Sequence, residues 1–210
     1  MPCRVLLADD HQILRQGLRA LLEQAGYSVV GEAANGREAC ELARELQPNV
    51  AVLDLAMPLL NGLDAIAEIR RVSPGTLAIL LTMYTDRPYV LRALQAGAKG
   101  YVLKTQAADD MVRAIQEVRA GAVYLSAGVA VGLVDAYLSR DAEPGEPLTA
   151  RERQVLQLVA EGRSTKAIAA LLGITFKTAE SHRNRIMKKL DIHQVAGLVR
   201  YAIRRGLVRP

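Results

Sequence analysis

The first part of the chain alternates short apolar runs with longer segments in which apolar residues recur at helical spacing. Three of the runs, VLLA, VAVL and AILL, contain no polar residue, which is typical of strands covered on both faces of a parallel sheet. Strands that alternate with crossover helices predict an α/β domain with a doubly wound, five-stranded parallel sheet over residues 1–122. The predicted strands are Arg4–Ala8, Ser28–Ala33, Val50–Leu53, Ala78–Leu81 and Gly100–Leu103, and the predicted helices are Ile13–Ala25, Arg37–Leu46, Leu63–Arg71, Pro88–Ala96 and Ala107–Ala120.

The pattern changes after an acidic segment that contains two prolines. The sequence DAEPGEP at Asp141–Pro147 disfavours a continuing helix and predicts a linker, placed at 123–146, although a helix within the apolar stretch 126–139 stays an open alternative. From Leu148 onward only helical patterns remain, so residues 147–210 are predicted to form an all-α domain of four helices. These are expected from the capping box at Thr149 to about Glu161, and at Thr165–Leu172, Lys177–Leu190 and His193–Arg205. The short second helix, the turn at Gly173 and the longer third helix make a helix-turn-helix arrangement.

The charge of the chain is unevenly distributed between these two parts. Residues 147–210 hold 13 Lys and Arg against 4 Asp and Glu, a net charge of +9, whereas residues 1–146 carry a net charge of −4. A basic domain attached to an acidic one indicates a module that binds a polyanion such as double-stranded DNA. A merely solvated basic surface is the alternative that composition leaves open.

The remaining composition is that of an ordinary globular protein. Half of the residues are apolar and 23% are charged, and no apolar run is long enough to cross a bilayer. The first residues lack the order of a signal peptide, and Cys3 and Cys40 lack metal-ligand spacing. We therefore expect a cytoplasmic protein with no membrane partner.

Polar residues with chemical potential lie at the ends of four predicted strands. Asp9 and Asp10 follow the first strand, Asp54 follows the third, Thr82 the fourth and Lys104 the fifth. The carboxyl ends of parallel strands open onto one crevice, so these side chains are expected to converge. Carboxylates held together repel each other and suit Mg²⁺, and a carboxylate can also be the nucleophile that forms an aspartyl-phosphate. Taken singly, each residue could instead be a helix cap, a strand end or a solvated cation.

Four blocks, LLADDH, VLDLAMP, LLTMYTD and KGYVLK, resemble those of the receiver domains of response regulators, in the same order and at similar spacing. The resemblance implies a flavodoxin-like fold in which Asp54 accepts a phosphoryl group from a histidine kinase. It further implies that Asp10 is a direct Mg²⁺ ligand, that Asp9 acts mostly through water, and that Ala56 contributes its carbonyl oxygen. Asp54 completes this predicted metal site.

The same resemblance assigns a switch to three further residues. Thr82 and Lys104 match the positions that bind the phosphoryl oxygens, and Tyr101 matches an aromatic residue that turns inward on activation. An ordinary half-buried strand tyrosine is the alternative for Tyr101.

The segment LTARERQVLQLVAEGRSTKAIAALLGITFKTAESHRNRIMKKL closely resembles the LuxR/NarL-type helix-turn-helix. The resemblance implies that Lys177–Leu190 is the recognition helix in the major groove. Positions that face bases in relatives are Glu180, Ser181 and Asn184, and positions that match phosphate or groove-edge contacts are Lys177, Thr178, His182, Arg183 and Lys188. The fourth helix matches the segment through which relatives pair on DNA, which predicts dimer contacts at Val195, Leu198, Val199 and Ala202.

Together these features identify the chain as a member of the NarL/FixJ group of two-component response regulators. We expect a regulator without enzymatic activity, in which a histidine kinase phosphorylates Asp54 and thereby controls dimerisation and sequence-specific DNA binding. Two alternatives were weighed. A haloacid dehalogenase-type phosphatase requires a second aspartate two residues after the nucleophile, where this chain has Ala56. A quorum-sensing regulator normally has a ligand pocket that contains Trp, and this chain has no Trp.

Overall fold

The computed structural model describes residues 2–85, 87–130 and 147–208. Its first part is a parallel sheet of six strands in the order β2-β1-β3-β4-β5-β6. The strands are β1 (Arg4–Ala8), β2 (Ser28–Ala33), β3 (Val50–Asp54), β4 (Leu77–Thr82), β5 (Gly100–Leu103) and β6 (Tyr124–Leu125), and the helices between them are α1 (Gln12–Gln24), α2 (Gly36–Leu46), α3 (Gly62–Val72), α4 (Arg87–Ala96) and α5 (Ala107–Arg119). The predicted doubly wound fold is confirmed.

The sheet separates two apolar layers because successive residues of a strand face opposite sides. Leu6, Leu53 and Leu80 pack with α2, α3 and α4 on one face. Val5 and Val52 pack with α1 and α5 on the other. The all-apolar runs of the sequence are therefore strands buried on both faces, as their composition predicts.

The prediction of five strands was one strand short. Tyr124 and Leu125 pair in parallel with Gly100 and Tyr101, so the sheet extends past the expected boundary at residue 122. Residues 127–130 are helical, and the remainder of the apolar stretch at 126–139, together with residues 141–146 of the predicted linker, lies outside the described residues.

The second domain consists of four described helices around their own apolar core. They are α6 (Ala150–Ala160), α7 (Thr165–Leu172), α8 (Phe176–Leu190) and α9 (Val195–Arg204). The predicted capping box is present: the Thr149 side chain accepts from the Glu152 backbone, and the Glu152 carboxylate accepts from the Thr149 backbone. Gly173 ends α7 in the left-handed conformation, and Thr175 caps α8, which begins one residue earlier than predicted. Among the described residues, no helix has the length and apolar character needed to cross a membrane.

The two domains contact each other directly. Helix α6 of the second domain lies against the segment that joins β3 to α3 in the first, and the hydroxyl of Tyr89 in α4 donates to the carbonyl of Arg204 at the end of α9. The contact therefore involves the segment that follows Asp54, the predicted phosphoacceptor.

Candidate functional site

The carboxyl edge of the sheet brings the predicted polar residues together. Asp9 and Asp54 are buried where β1 and β3 end, and Thr82 is buried at the end of β4. Ligand atoms of Asp9, Asp10, His11 and Asp54 all lie within 4.8 Å of one another. The convergence that the sheet topology requires is thus observed, because β1 and β3 are hydrogen-bonded neighbours.

Hydrogen bonds made by both backbone groups of Leu55 hold the end of β3 in place. The Leu55 amide donates to the Leu81 carbonyl at 3.0 Å, and the Gly62 amide donates to the Leu55 carbonyl at 2.8 Å. A Cβ atom on Gly62 would lie 2.3 Å from the Asp54 carbonyl oxygen, so no side chain fits at this position. The start of α3 can approach the end of β3 only because residue 62 is glycine.

Lys104 provides the positive charge of the site. Its ammonium group lies 2.6 Å from an Asp9 carboxylate oxygen and 3.0 Å from one of Asp54, and its side chain is almost completely buried. The two carboxylates are thereby paired through one cation, which offsets the repulsion that their proximity would otherwise cause. In this state Lys104 bridges the residues that the sequence assigns to metal binding and to phosphorylation.

The ionisation of Asp9 reflects these contacts. Burial by itself would raise the pKa of Asp9, but the hydrogen bonds from Lys104 and from the His11 amide outweigh it and hold the pKa below its usual range. The amide of His11 lies 2.8 Å from the Asp9 carboxylate, and the imidazole lies 3.0 Å from it and 3.1 Å from Asp10. Asp9 is therefore ionised under ordinary conditions. His11 is a member of the cluster that the sequence analysis did not include.

The residues present fit a hard divalent cation. Oxygen atoms of three carboxylates lie within 4.8 Å of one another, and Ala56 lines the cavity that also contains Asp54. Mg²⁺ prefers oxygen ligands and retains several water molecules. Asp10 is exposed, so the site has room for such waters on that side. The donor set thus agrees with a magnesium site built from Asp9, Asp10 and Asp54.

A cavity of about 600 Å³ opens above Asp54. Its wall combines the polar groups of the site with the exposed apolar side chains of Ile13 and Met83. Asp54 therefore borders an open cavity although its side chain is almost completely buried.

A chain of aromatic residues leads from the site to the second domain. The Thr82 hydroxyl accepts from the Tyr84 amide at 3.2 Å, and the Tyr101 hydroxyl donates to the Tyr84 carbonyl at 2.9 Å. The Tyr84 and Tyr89 rings lie 4.7 Å apart, and Tyr89 bonds to Arg204. Tyr101 is completely buried, so the predicted switch residue already has its ring inside the domain in this state.

The segment after Asp54 forms the larger part of the domain contact. The buried carboxamide of Gln157 donates to the Met57 carbonyl at 2.8 Å and accepts from the Asn61 backbone amide at 3.0 Å. Arg153 forms an ion pair with Asp64 at 2.9 Å. These contacts attach α6 to the loop that follows Asp54 and to the start of α3.

Leu59 adds an apolar contact to this interface. Its backbone has φ of +66°, which L residues rarely adopt, and its amide donates to the Glu161 carboxylate at 3.0 Å. Its side chain packs against the core of the second domain. The loop thus holds a left-handed residue in place through contacts with the neighbouring domain.

Helix α8 presents a broad polar face to solvent. Of the residues predicted to contact DNA, six are exposed: Lys177, Thr178, Glu180, Ser181, Asn184 and Lys188. Ala179 and Ile186 are buried on the opposite side of the helix, as the predicted apolar stripe requires. The exposed face therefore combines cations that can bind phosphates with amide, hydroxyl and carboxylate groups that can read base edges.

Two of the residues predicted to contact DNA are less exposed than the other six. His182 and Arg183 are only partly exposed, and the Nδ1 atom of His182 is buried. Their positions on the helix turn them toward the domain interior, because they follow the buried Ala179 at steps of three and four residues. Arg185 and Phe176 are also exposed on α8, although the resemblance assigned no contact to either of them.

The predicted dimer contacts on α9 require correction. Leu198 and Ala202 are buried in the core of their own domain, whereas Val195 is exposed and Val199 partly so. Leu198 and Ala202 therefore pack within their own domain. A pairing surface on this helix is limited to Val195, Val199 and their neighbours.

Comparison with known proteins covers both domains. Residues 5–116 match the model of the response regulator receiver domain, and residues 146–202 match that of the luxR family of bacterial regulatory proteins. The transcriptional regulatory protein MctR of Rhizobium johnstonii is 42% identical over 207 residues, 98% of this chain and 95% of that protein. The response regulator UvrY of Escherichia coli is 35% identical over 97% of this chain and 94% of that protein. A structure of the two-component response regulator RcsB bound to DNA has a TM-score of 0.61 at 30% identity, and the match covers 96% of this chain and 98% of that one.

Proposed function

The chain belongs to the bacterial response regulators that join a receiver domain to a LuxR-type DNA-binding domain, and on this premise we propose that phosphorylation of Asp54 by a histidine kinase controls binding of α8 to DNA. The observation that carries the proposal is the convergence of Asp9, Asp54 and Lys104 at one edge of the sheet. We assign the protein a regulatory rather than an enzymatic role, and we place it in the cytoplasm, where the chromosome is accessible.

In the proposed reaction an Asp54 carboxylate oxygen forms a bond to phosphorus while the bond between phosphorus and the donor's leaving group breaks. Asp9, Asp10, Asp54 and the Ala56 carbonyl would hold Mg²⁺, which supplies charge stabilisation to the phosphoryl oxygens when bound. Lys104 and the Thr82 hydroxyl bind the same oxygens from the other side. Lys104 must then leave Asp9, its present partner at 2.6 Å, which frees that carboxylate as one of the residues that would hold the cation.

The second half of the proposal concerns DNA. Lys177 and Lys188 neutralise phosphates, while Glu180, Ser181 and Asn184 face base edges in the major groove. A domain of net charge +9 gains much of its affinity from counterion release, so binding is expected to weaken steeply with salt. Homodimers formed through α9 would place two such helices on half-sites about one helical turn apart.

The two halves are connected through the interface at Gln157 and Tyr89. A phosphoryl group at Asp54 changes the loop that Gln157 holds, and a movement of Thr82 is passed on through Tyr84 to Tyr89. We propose that phosphorylation shifts the population from the docked arrangement toward a released, dimer-competent one. The size of this shift is set by how much more the phosphoryl group stabilises the released state than the docked state.

The test of the receiver assignment is Asp54→Asn. The amide cannot accept a phosphoryl group, and its size leaves the fold intact, so incorporation of phosphate from acetyl phosphate with Mg²⁺ should be abolished. Asp64→Asn is the matched control, because Asp64 is equally buried in the same domain but pairs with Arg153. Undiminished labelling of the Asp54→Asn protein, measured by intact mass, would show that the phosphoacceptor lies elsewhere.

A further inference from the structure

Helix α8 begins with an aromatic residue that the mechanism above does not use. Phe176 is the first residue of the helix and the only phenylalanine in the chain. Its exposed fraction is 54%, although phenylalanine is among the residues most often buried in folded domains. Exposure alone does not indicate a function, since Val123 in the receiver is exposed to a similar degree. The position of Phe176 on the helix is the informative feature.

Phe176 lies on the same stripe as two proposed base readers. Glu180 and Asn184 follow it at steps of four residues, and all three are exposed. The N-terminal part of a recognition helix is the part that reaches base edges in helix-turn-helix proteins. Lys177 and Lys188 on the same exposed surface would hold this face against the phosphates. The aromatic ring is therefore carried into the groove together with the polar readers.

The major groove contains one apolar group that a phenylalanine can recognise. Each base edge there presents hydrogen-bond donors and acceptors, and only thymine adds a C5-methyl group. The ring of Phe176 cannot form hydrogen bonds of the kind that read the other positions, so burying it against a donor or acceptor would leave that group unpaired. A methyl group is the one partner that benefits from contact with it.

We propose that Phe176 is a specificity residue that packs against the C5-methyl group of a thymine in each half-site. The inference rests on the proposed function, because it requires α8 to lie in the major groove. It adds Phe176 to the proposed base readers Glu180, Ser181 and Asn184, and it predicts that the preferred sites hold a thymine at the position facing the start of α8.

Deoxyuridine substitution tests the contact at the level of a single methyl group. Duplexes are first selected for binding to the full-length protein treated with acetyl phosphate and Mg²⁺, and each thymine of a selected duplex is then replaced in turn by deoxyuridine. The replacement keeps the base pairing and removes only the methyl group. Replacement at one position per half-site should weaken binding about fourfold, because this is the loss of affinity expected when roughly one apolar carbon is no longer buried.

The same duplexes are then titrated with Phe176→Ala, which should bind the thymine duplex more weakly and show equal affinity for the thymine and deoxyuridine forms. Phe176→Leu should retain part of the discrimination, and Val123→Ala should retain all of it. If wild-type protein responds to no deoxyuridine position, or if Phe176→Ala weakens binding by the same factor on both duplexes, the inference is overturned. Failure of the wild-type protein to prefer selected over random duplexes would instead contradict the proposed function itself.

Discussion

At the scale of single residues, Lys104 determines the electrostatics of the receiver site. It pairs with Asp9 and Asp54 simultaneously, so the site already contains one positive charge without metal. Removing a partner from a buried group of this kind leaves an uncompensated charge, which is strongly destabilising. The same lysine thus supports the folded state at rest and, in the proposed reaction, the phosphoryl group.

Glu152 shows a comparable dependence on ionisation in the second domain. Burial raises its pKa, but the Lys189 ammonium at 2.7 Å and the Thr149 backbone and hydroxyl donors hold the pKa below its ordinary value of 4.5. A lowered pKa stabilises the folded state above pH 4.5, and this stabilisation is lost as the pH falls through the lowered value. Glu152→Gln should therefore unfold more easily at neutral pH, by roughly 1 kcal/mol for a weakened helix cap.

The measurement is chemical unfolding of wild type and Glu152→Gln followed by circular dichroism at a series of pH values. The difference between the two proteins should be largest near neutrality and should shrink as the pH falls below 4.5. Glu180→Gln, on the exposed face of α8, serves as control and should show no such trend. A difference that stays constant with pH would contradict the role of the charged carboxylate.

At the scale of elements, α6 is the helix of the second domain that makes most of the described contacts with the receiver. Gln157 is fully buried there and exchanges hydrogen bonds with Met57 and Asn61 of the receiver. Each lost hydrogen bond of this type is worth roughly 1 kcal/mol, so Gln157→Ala should weaken docking about tenfold or more. The variant should fold normally, because most hydrogen bonds of the Gln157 carboxamide cross the interface.

Small-angle scattering and DNA titration of the unphosphorylated protein measure this effect. Gln157→Ala should show a larger radius of gyration and tighter DNA binding than wild type. Gln154→Ala, one turn earlier, is the matched control because the Gln154 carboxamide bonds only to Arg151 among its described partners. Identical behaviour of the two variants would argue against α6 as the element that restrains the DNA-binding domain.

Sequence patterns predicted the helices and strands of this fold well where a periodic pattern extends over several residues. The five longer strands and all four helices of the second domain are within two residues of their predicted ends. Strand β6 was missed because two residues cannot establish an alternating pattern. Leu198 was misassigned to dimerisation because periodicity shows that a helix face is apolar, but not whether its own domain or a partner covers it.

The convergence of the polar residues could be predicted from the sequence, but the contact between the two domains could not. Asp9, Asp54 and Lys104 converge because sheet topology alone requires it. The part played by Gln157 could not be read from sequence, since a glutamine within a helix ordinarily indicates solvent. Its burial arises only when two domains meet, which is a property of the folded chain rather than of any local segment.

At the scale of the whole molecule, each domain has its own core, and the described contacts between them are largely polar. Such interfaces exchange readily between docked and released states. We therefore expect a fragment beginning at Pro147 to bind target DNA without phosphorylation. The full-length protein should bind this DNA more weakly than the fragment until it is treated with acetyl phosphate. Its affinity should then approach that of the fragment, and its mass should approach that of a dimer.

Titration of both proteins on one duplex, with sedimentation under the same conditions, measures this gating. The control is full-length Asp54→Asn, which should remain in the weak-binding state with acetyl phosphate present. Equal affinity and unchanged mass of the full-length protein before and after phosphorylation would remove the gating proposal while leaving the two domain assignments in place.

The short strand β6 has a practical consequence for anyone who divides this protein. It covers the open edge of β5, and Ser126 beyond it bonds to the Leu103 amide at 3.1 Å and to Asp110. A receiver fragment cut at residue 122 would expose the unpaired amides and carbonyls of β5, which act as a template for edge-to-edge aggregation. A cut after residue 130 retains this cover together with the buried side chains of Tyr124 and Val129, and solubility during purification would therefore depend on these eight residues.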